Sequence, residues 1–247
     1  MSTLALFLLV AGAQFAFHAF RWLRRRAEDR EIRDVLEKLH AQDEARRKTF
    51  KFPMPPADPR DIAGWDAYWE VELETGGLHT RFGDVLIAHW DTPGLLATRG
   101  VRTVLCVGNG LSAEAASLAG EGFDVTALDV SPLAIRTAEQ GWKTSDVNDT
   151  LRFVCGDLFD ATACPGPFDA VIERCTLQLY SPDERTLGLE RLTGRLAQRG
   201  LFVSHVHMGG WRPGQPREHY ARPWLAAHGF REDPGAERMC RLTLMTG

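Results

Sequence analysis

The chain has 247 residues, of which 44% are hydrophobic, and a formal net charge of −4. This length suits one α/β domain with an appendage, and the slight acidity excludes a global nucleic-acid-binding surface. The five cysteines are odd in number and lack C-x-x-C spacing. They indicate reduced, packed thiols in a cytosolic domain rather than a disulfide framework.

The amino-terminal stretch is apolar. Residues 4–20 carry no formal charge, and four arginines follow directly between positions 21 and 26. A spanning helix needs roughly 20 apolar residues, so residues 4–23 within the segment 1–26 predict a membrane anchor. The arginines would place the rest of the chain on the cytoplasmic, inner face of the membrane. The alternatives are a helix lying in the membrane interface or translated upstream sequence.

Residues 27–60 form a second segment with a different composition. Charges of both signs are dense, and Ile32, Val35, Leu36 and Leu39 recur at helical spacing, which predicts a charged helical stalk with one narrow apolar face. Four prolines between positions 52 and 59 then predict a stiff linker. We therefore place the start of the globular domain at residue 61 and extend it to residue 247.

The domain opens on the aromatic cluster Trp65, Tyr68 and Trp69. Core packing is the structural interpretation of such a cluster. The functional alternative is a cap over a planar or cationic ligand, because indole faces attract positive charge.

Residues 102–135 are the most informative stretch. A short apolar strand runs into the loop Gly108-Asn109-Gly110, a helix follows, and a second strand ends at Asp129. Glycines let a ligand approach the backbone, and a helix N-terminus attracts anionic groups. A carboxylate at the end of the second strand can accept hydrogen bonds from ribose hydroxyls. The stretch therefore predicts a nucleotide-like ligand.

Further strands with buried character follow near residues 151–157, 168–174, 201–208 and 238–246. The helix between the second and third of these begins at Ser181 with a capping box, and we expect it to run through Leu196 and end at Gly200. Strands that alternate with helices predict an α/β fold with a mostly parallel sheet and helices on both faces. The carboxyl-terminal strand is expected to be antiparallel.

Two features after the first strands favour methyl transfer over hydride transfer. Asp157 and Leu158 follow the third strand, and Glu173, Arg174 and Cys175 end the fourth. All of these lie at the carboxyl edge of the sheet, where open α/β folds bind ligands. The pattern Gly108-x-Gly110-x-x-Ala113 keeps an NAD(P)-dependent oxidoreductase as the alternative. A non-catalytic, membrane-anchored binding protein that kept the fold is the third interpretation.

With these motifs, residues 65–247 resemble the class I S-adenosylmethionine (SAM)-dependent methyltransferases, and within them the thiopurine methyltransferase-like branch. The resemblance implies a Rossmann-like, seven-stranded sheet with SAM as the cofactor. The cofactor-binding residues that it implies are Trp65, Trp69, Gly108, Asn109, Gly110, Asp129, Val130, Asp157, Leu158 and Glu173. The chain departs from the pattern at Cys106, where the class usually has an acidic residue, and at Ser112, which replaces its third glycine.

The acceptor is predicted to be a small molecule, with a thiol or another soft nucleophile as one option. The residues expected to face it are Trp69, Arg174, Tyr180 and His207. SAM loses a neutral thioether, so transfer is mainly a matter of alignment. Arg174 and Glu173 are the catalytic candidates, and Glu173, His207 or Tyr180 would serve an acceptor that needs a general base. An ion pair with Arg174 is the structural alternative for Glu173. The pair His205 and His207 has no third ligand at metal spacing, so no metal site is predicted.

Overall fold

The computed structural model describes residues 54–74, 92–142, 149–205, 221–232 and 241–246. The predicted anchor, the charged stalk and His207 lie outside these residues. Within the described ranges, no helix combines the length and the apolar character that crossing a membrane requires.

A mostly parallel sheet forms the centre of the fold. Among the described residues it has seven strands, namely β1 (Thr103–Val107), β2 (Asp124–Asp129), β3 (Leu151–Cys155), β4 (Phe168–Arg174), β5 (Leu196–His205), β6 (Phe230–Glu232) and β7 (Arg241–Thr246). They lie in the order β3-β2-β1-β4-β5-β7-β6. Strands β1 to β5 are parallel to one another, and β7 is antiparallel to both β5 and β6. The predicted α/β class, mostly parallel sheet and antiparallel last strand are confirmed.

Helices connect the strands within the described residues. They are α1 (Ile62–Glu74), α2 (Thr92–Thr98), α3 (Glu114–Gly120), α4 (Pro132–Trp142), α5 (Pro182–Thr193) and α6 (Ala221–Ala227), with a 3₁₀ turn at Leu177–Leu179. The capping box at Ser181 and Glu184 is present as predicted. The predicted end of α5 is wrong, because the helix stops at Thr193 and Leu196 already begins β5. Gly200 lies within that strand, where the register between β4 and β5 shifts.

Two apolar layers cover the two faces of the sheet. Leu105, Val107 and Phe202 belong to one layer, and Val104 and Cys106 belong to the other. The alternation along β1 explains why this strand is a continuous apolar run, since both of its faces are buried. Burial on both faces leaves the strand ends as the place for polar chemistry.

The parallel register brings the carboxyl ends of the central strands to one edge. Val107 at the end of β1 pairs with Leu128 of β2 on one side and with Glu173 of β4 on the other. Asp129 at the end of β2 pairs with Cys155 of β3. The motifs after these strands therefore converge on the same edge, where open α/β sheets bind ligands.

Candidate functional site

A cleft lies at this edge, between the ends of the strands, the helix α1 and the segment that precedes it. With its open mouth it encloses about 820 Å³. The residues that line it are Pro55, Pro59, Trp65, Tyr68, Trp69, Val107, Gly108, Leu128, Asp129, Val130, Gly156, Leu158, Arg174, Cys175, Thr176, Gln178, Leu179 and Tyr180. A cleft of this size, largely apolar with a few polar groups, is typical of small-molecule sites.

The loop after β1 has the shape that glycine permits. Gly108 and Gly110 adopt φ values of +66° and +52°, in the left-handed region. A Cβ on Gly108 would collide with the Thr176 side chain, which bonds the Val107 carbonyl at 3.1 Å. The Asn109 amide donates to the carbonyls of Gly110 and Ser112, so this side chain shapes the loop rather than lining the cleft.

Asp129 lies at the base of the cleft. Its Oδ2 accepts from the Gly110 N–H at 2.7 Å, and its Oδ1 accepts from the Ser131 N–H at 2.9 Å. Burial raises the pKa of this carboxyl, the N–H groups of Ser131, Gly110 and Val130 partly offset that effect, and the charge of Asp66 raises the pKa further. Asp129 thus ties the glycine loop to the end of β2, and it also lines the cleft.

The aromatic residues of α1 form one wall. Trp65 stacks on Trp69 with ring centroids 6.1 Å apart, and Tyr68 meets both rings edge-on. The Trp69 ring lies on Gly110 so closely that a Cβ there would be 2.5 Å from Cη2. The buried Trp69 indole N–H has no hydrogen-bond partner among the residues that the structure describes. All three residues of the aromatic cluster line the cleft.

The proline-rich segment continues the same wall. Pro55 and Pro59 are buried and line the cleft. The Pro59 carbonyl accepts from the Trp65 indole N–H at 2.9 Å. Arg60 lies over the Phe159 ring at 4.6 Å and 3.4 Å from Glu184 at the start of α5. Residues 54–60, predicted as a linker outside the domain, therefore pack on it.

The turn after β3 supplies the opposite side. Gly156 and Leu158 line the cleft, whereas the predicted Asp157 is not among the lining residues. The Asp157 carboxylate accepts from the Phe159 N–H at 2.9 Å. Arg195, buried after α5, donates to the carbonyls of Leu158 at 2.9 Å and Asp160 at 2.6 Å. The Arg195 guanidinium thus stabilises the turn after β3, a role that sequence analysis missed.

The end of β4 separates two predicted catalytic residues. Glu173 has no exposed surface and accepts from the N–H groups of Thr176 and Leu177 at 3.2 Å each and from the Ser204 hydroxyl. Its carboxylate thus orders the turn after β4 and does not line the cleft. Arg174 does line the cleft, next to Cys175, which adopts φ +56°.

Two tyrosines line the cleft, and both stay neutral. Burial raises the pKa of Tyr68, and the charge of Glu72 adds to that effect. Burial likewise raises the pKa of Tyr180, with Asp157 adding to it. A phenol with a raised pKa donates hydrogen bonds at neutral pH and does not remove protons.

The structure brings most of the predicted site residues together. Those that line one cleft are Trp65, Trp69, Gly108, Asp129, Val130, Leu158, Arg174 and Tyr180. Asn109, Gly110, Asp157 and Glu173 support the loops behind it. The lining residues that sequence analysis missed include Pro55, Pro59, Thr176 and Gln178. Thr176 and Gln178 directly follow the Glu173-Arg174-Cys175 motif, and that adjacency was the available signal.

Comparisons with known proteins indicate the type of domain. Residues 104–200 match a methyltransferase domain. The matched stretch runs from β1 to the middle of β5 and includes the glycine loop, Asp129 and the turns after β3 and β4.

A curated relative, an uncharacterized protein from a Synechococcus strain, is 28% identical over 100 residues. The match covers 40% of this chain and only 24% of the relative's length.

Solved structures share the fold. Magnesium protoporphyrin IX methyltransferase from Synechocystis PCC 6803, crystallised with bound SAM, superposes with a TM-score of 0.52 at 20% identity, covering 67% of this chain and 83% of that one. A putative caffeoyl-CoA O-methyltransferase from Staphylococcus aureus gives 0.51 at 15% identity, covering 72% and 92%. The fold is therefore the α/β methyltransferase fold. Together with the domain match, it supports the prediction of a SAM-dependent methyltransferase with SAM as its cofactor.

Proposed function

We propose that this protein transfers a methyl group from SAM to a small-molecule acceptor. The observation that carries the proposal is the single cleft that combines the glycine loop, Asp129, the turn after β3 and the aromatic wall of α1. A SAM-like ligand unites a planar base, vicinal hydroxyls and a positive charge. The cleft offers an apolar slot, a carboxylate and indole faces for these three features.

Each wall has a separate role in holding the cofactor. Asp129 would accept from the ribose hydroxyls, with Val130 beside it, and the backbone around Leu158 would meet the adenine. Gly108 leaves room for the Thr176 side chain and lines the cleft next to it. Trp65 and Trp69 would cover the cofactor and stabilise positive charge through their ring faces. The cofactor supplies an activated methyl group and a neutral leaving group.

The acceptor is best explained as a small anion or soft nucleophile. Among the described residues lining the cleft, Asp129 is the sole carboxylate, and backbone N–H groups already engage both of its oxygens. Tyr68 and Tyr180 are neutral near pH 7, as ordinary phenols are, and burial raises the pKa of each further. An acceptor that is already ionised needs no proton removed by these groups, and Arg174 would orient its charge. A thiolate, as in the thiopurine methyltransferase-like branch, has this chemistry.

Calorimetry tests the cofactor part of the proposal. The full chain is titrated with SAM, with S-adenosylhomocysteine and with NAD, and we expect micromolar binding of the first two. Asp129→Ala should weaken SAM binding at least about tenfold, because it removes a charged hydrogen-bond acceptor. The matched control is Asp124→Ala, which removes a carboxylate from the exposed start of the same strand and should leave affinity unchanged. Folded protein that binds NAD but not SAM would support the oxidoreductase alternative and overturn this proposal.

Transfer of labelled methyl from SAM tests the reaction. The acceptor panel contains thiols, carboxylates, phenols and amines, each assayed with wild type and with Arg174→Gln. We expect transfer to an anionic or soft acceptor, with a higher acceptor KM in the variant. Transfer to neutral amines alone, unaffected by the variant, would remove the anionic-acceptor assignment. SAM binding without transfer to any member would favour a binding protein.

A further inference from the structure

A closed series of contacts links α1 to the base of the cleft. Asp66 Oδ1 on α1 accepts from the Ser131 hydroxyl at 2.5 Å and from the Leu133 N–H at 3.1 Å, both at the start of α4. The Ser131 N–H donates in turn to Asp129 Oδ1. Asp129 Oδ2 accepts from Gly110, and the Trp69 ring of α1 lies on Gly110. The series therefore begins and ends on the same helix.

In this series, the hydrogen bonds of Asp66 attach the aromatic wall of α1 to the start of α4. Ser131 also caps α4, because its hydroxyl accepts from the Ala134 N–H at 3.0 Å while it donates to Asp66. A carboxylate at the first turn of α4 is favoured by the partial positive charge there. The charge of Asp66 also acts on Asp129, whose carboxyl pKa it raises. Asp66 thus contacts Ser131, whose N–H donates to the proposed ribose-binding Asp129, although Asp66 itself does not line the cleft.

We propose that Asp66 is a positioning residue that fastens the Trp65–Trp69 wall to the start of α4, so that docking of α1 and binding of the cofactor stabilise each other. This inference rests on the proposed function for the identity of the ligand, whereas the docking of α1 is a property of the ligand-free protein. Two sites that share an ordered element are coupled reciprocally. A cofactor that contacts Trp65 and Trp69 should slow hydrogen exchange in α1. Loss of Asp66 should in turn weaken binding of the cofactor.

The test compares Asp66→Ala with the conservative variant Asp66→Asn. The amide oxygen of asparagine can still accept from Ser131 and Leu133, so Asp66→Asn should retain most of the docking. Glu70→Gln is the matched control, because it removes an exposed carboxylate from the same helix. Hydrogen exchange of residues 62–74, followed by mass spectrometry, measures docking, and calorimetry measures SAM affinity. A purely global loss of stability would accelerate exchange throughout the domain.

We expect Asp66→Ala to speed exchange in residues 62–74 selectively and to weaken SAM binding at least about tenfold. Glu70→Gln should change neither quantity, and Asp66→Asn should lie close to wild type. If Asp66→Ala does not fold, Ser131→Ala, which removes the donor to Asp66 but keeps the N–H to Asp129, should have the same two effects. Wild-type exchange and SAM affinity in both alanine variants would overturn the inference. Failure of wild type itself to bind SAM would instead refute the proposed function, and exchange would still decide whether Asp66 docks α1.

Discussion

Gly110→Ala is the perturbation that best separates backbone strain from loss of the aromatic wall. Gly110 has φ +52°, and a Cβ there would lie 2.5 Å from Cη2 and 2.6 Å from Cζ2 of Trp69. An L-residue in the left-handed region costs about 1–2 kcal/mol. The Trp69 ring must also move, which breaks its contacts with Trp65 and Tyr68. Aromatic pairs contribute about 0.5–1.5 kcal/mol each, so we expect a total loss of about 2–5 kcal/mol.

Gly100→Ala is the matched control. Gly100 has φ +68°, and a Cβ there would meet nothing within 4 Å. It should therefore lose only the conformational part, about 1–2 kcal/mol. Urea denaturation gives the free energy of unfolding of both variants, and calorimetry gives SAM affinity. Combining Gly110→Ala with Trp69→Ala should cost less than the sum of the two single changes, since the collision is then absent. Equal losses in the two glycine variants, with unchanged SAM affinity in Gly110→Ala, would refute the packing argument.

Three further predictions concern the supports of the cleft. Glu173→Gln should lower the free energy of unfolding by about 1–3 kcal/mol, because an amide replaces a buried carboxylate that accepts from two N–H groups and a hydroxyl. Unchanged stability with abolished methyl transfer would instead indicate a catalytic carboxylate. Arg195→Met should lose about 2–4 kcal/mol and weaken SAM binding, because the carbonyls of Leu158 and Asp160 lose a charged donor; the exposed Arg191→Met should change neither measurement. The pH dependence of SAM affinity follows from Asp129. Because its pKa is raised in the folded protein, this carboxyl takes up a proton at a higher pH than an ordinary aspartate does. Uptake of that proton raises the free energy of unfolding as the pH falls toward the unfolded-state pKa of about 3.9. SAM affinity declines over the same pH range. Calorimetry across pH 7 to 4 checks this decline, and flat affinity would show that the ribose does not need the charge.

The fold and the location of the cleft could be predicted because they depend on local patterns. Apolar runs ending in Gly108, Asp129 and Glu173 specify buried parallel strands, and the ends of such strands must share an edge. The capping box at Ser181 likewise fixed the start of α5. Sequence periodicity places the end of α5 too late, because Leu196 continues the apolar spacing of the helix although it pairs with Phe168 in the sheet. Tertiary pairing outweighed helical periodicity there.

The supports of the site depend on contacts between distant residues, which no local pattern records. Glu173 and Arg174 are adjacent, yet side chains alternate along a strand. The Glu173 carboxylate therefore meets Ser204, whereas Arg174 lines the cleft. Asp66 acquires its role only when α1 meets α4, and Arg195 acquires its role 37 residues from the Leu158 carbonyl. The composition of residues 52–59 indicates a stiff linker, but stiffness does not reveal that Pro55 and Pro59 pack against Trp65 and the cleft.

The position of Pro55 and Pro59 has a practical consequence for recombinant work. A clone trimmed to residue 61, the boundary that composition favours, would delete the carbonyl that anchors the Trp65 indole and the guanidinium over Phe159. Such a truncated product would keep the residues of the sheet but lose Pro55 and Pro59 from the wall of the cleft. Expression should therefore begin upstream of Met54.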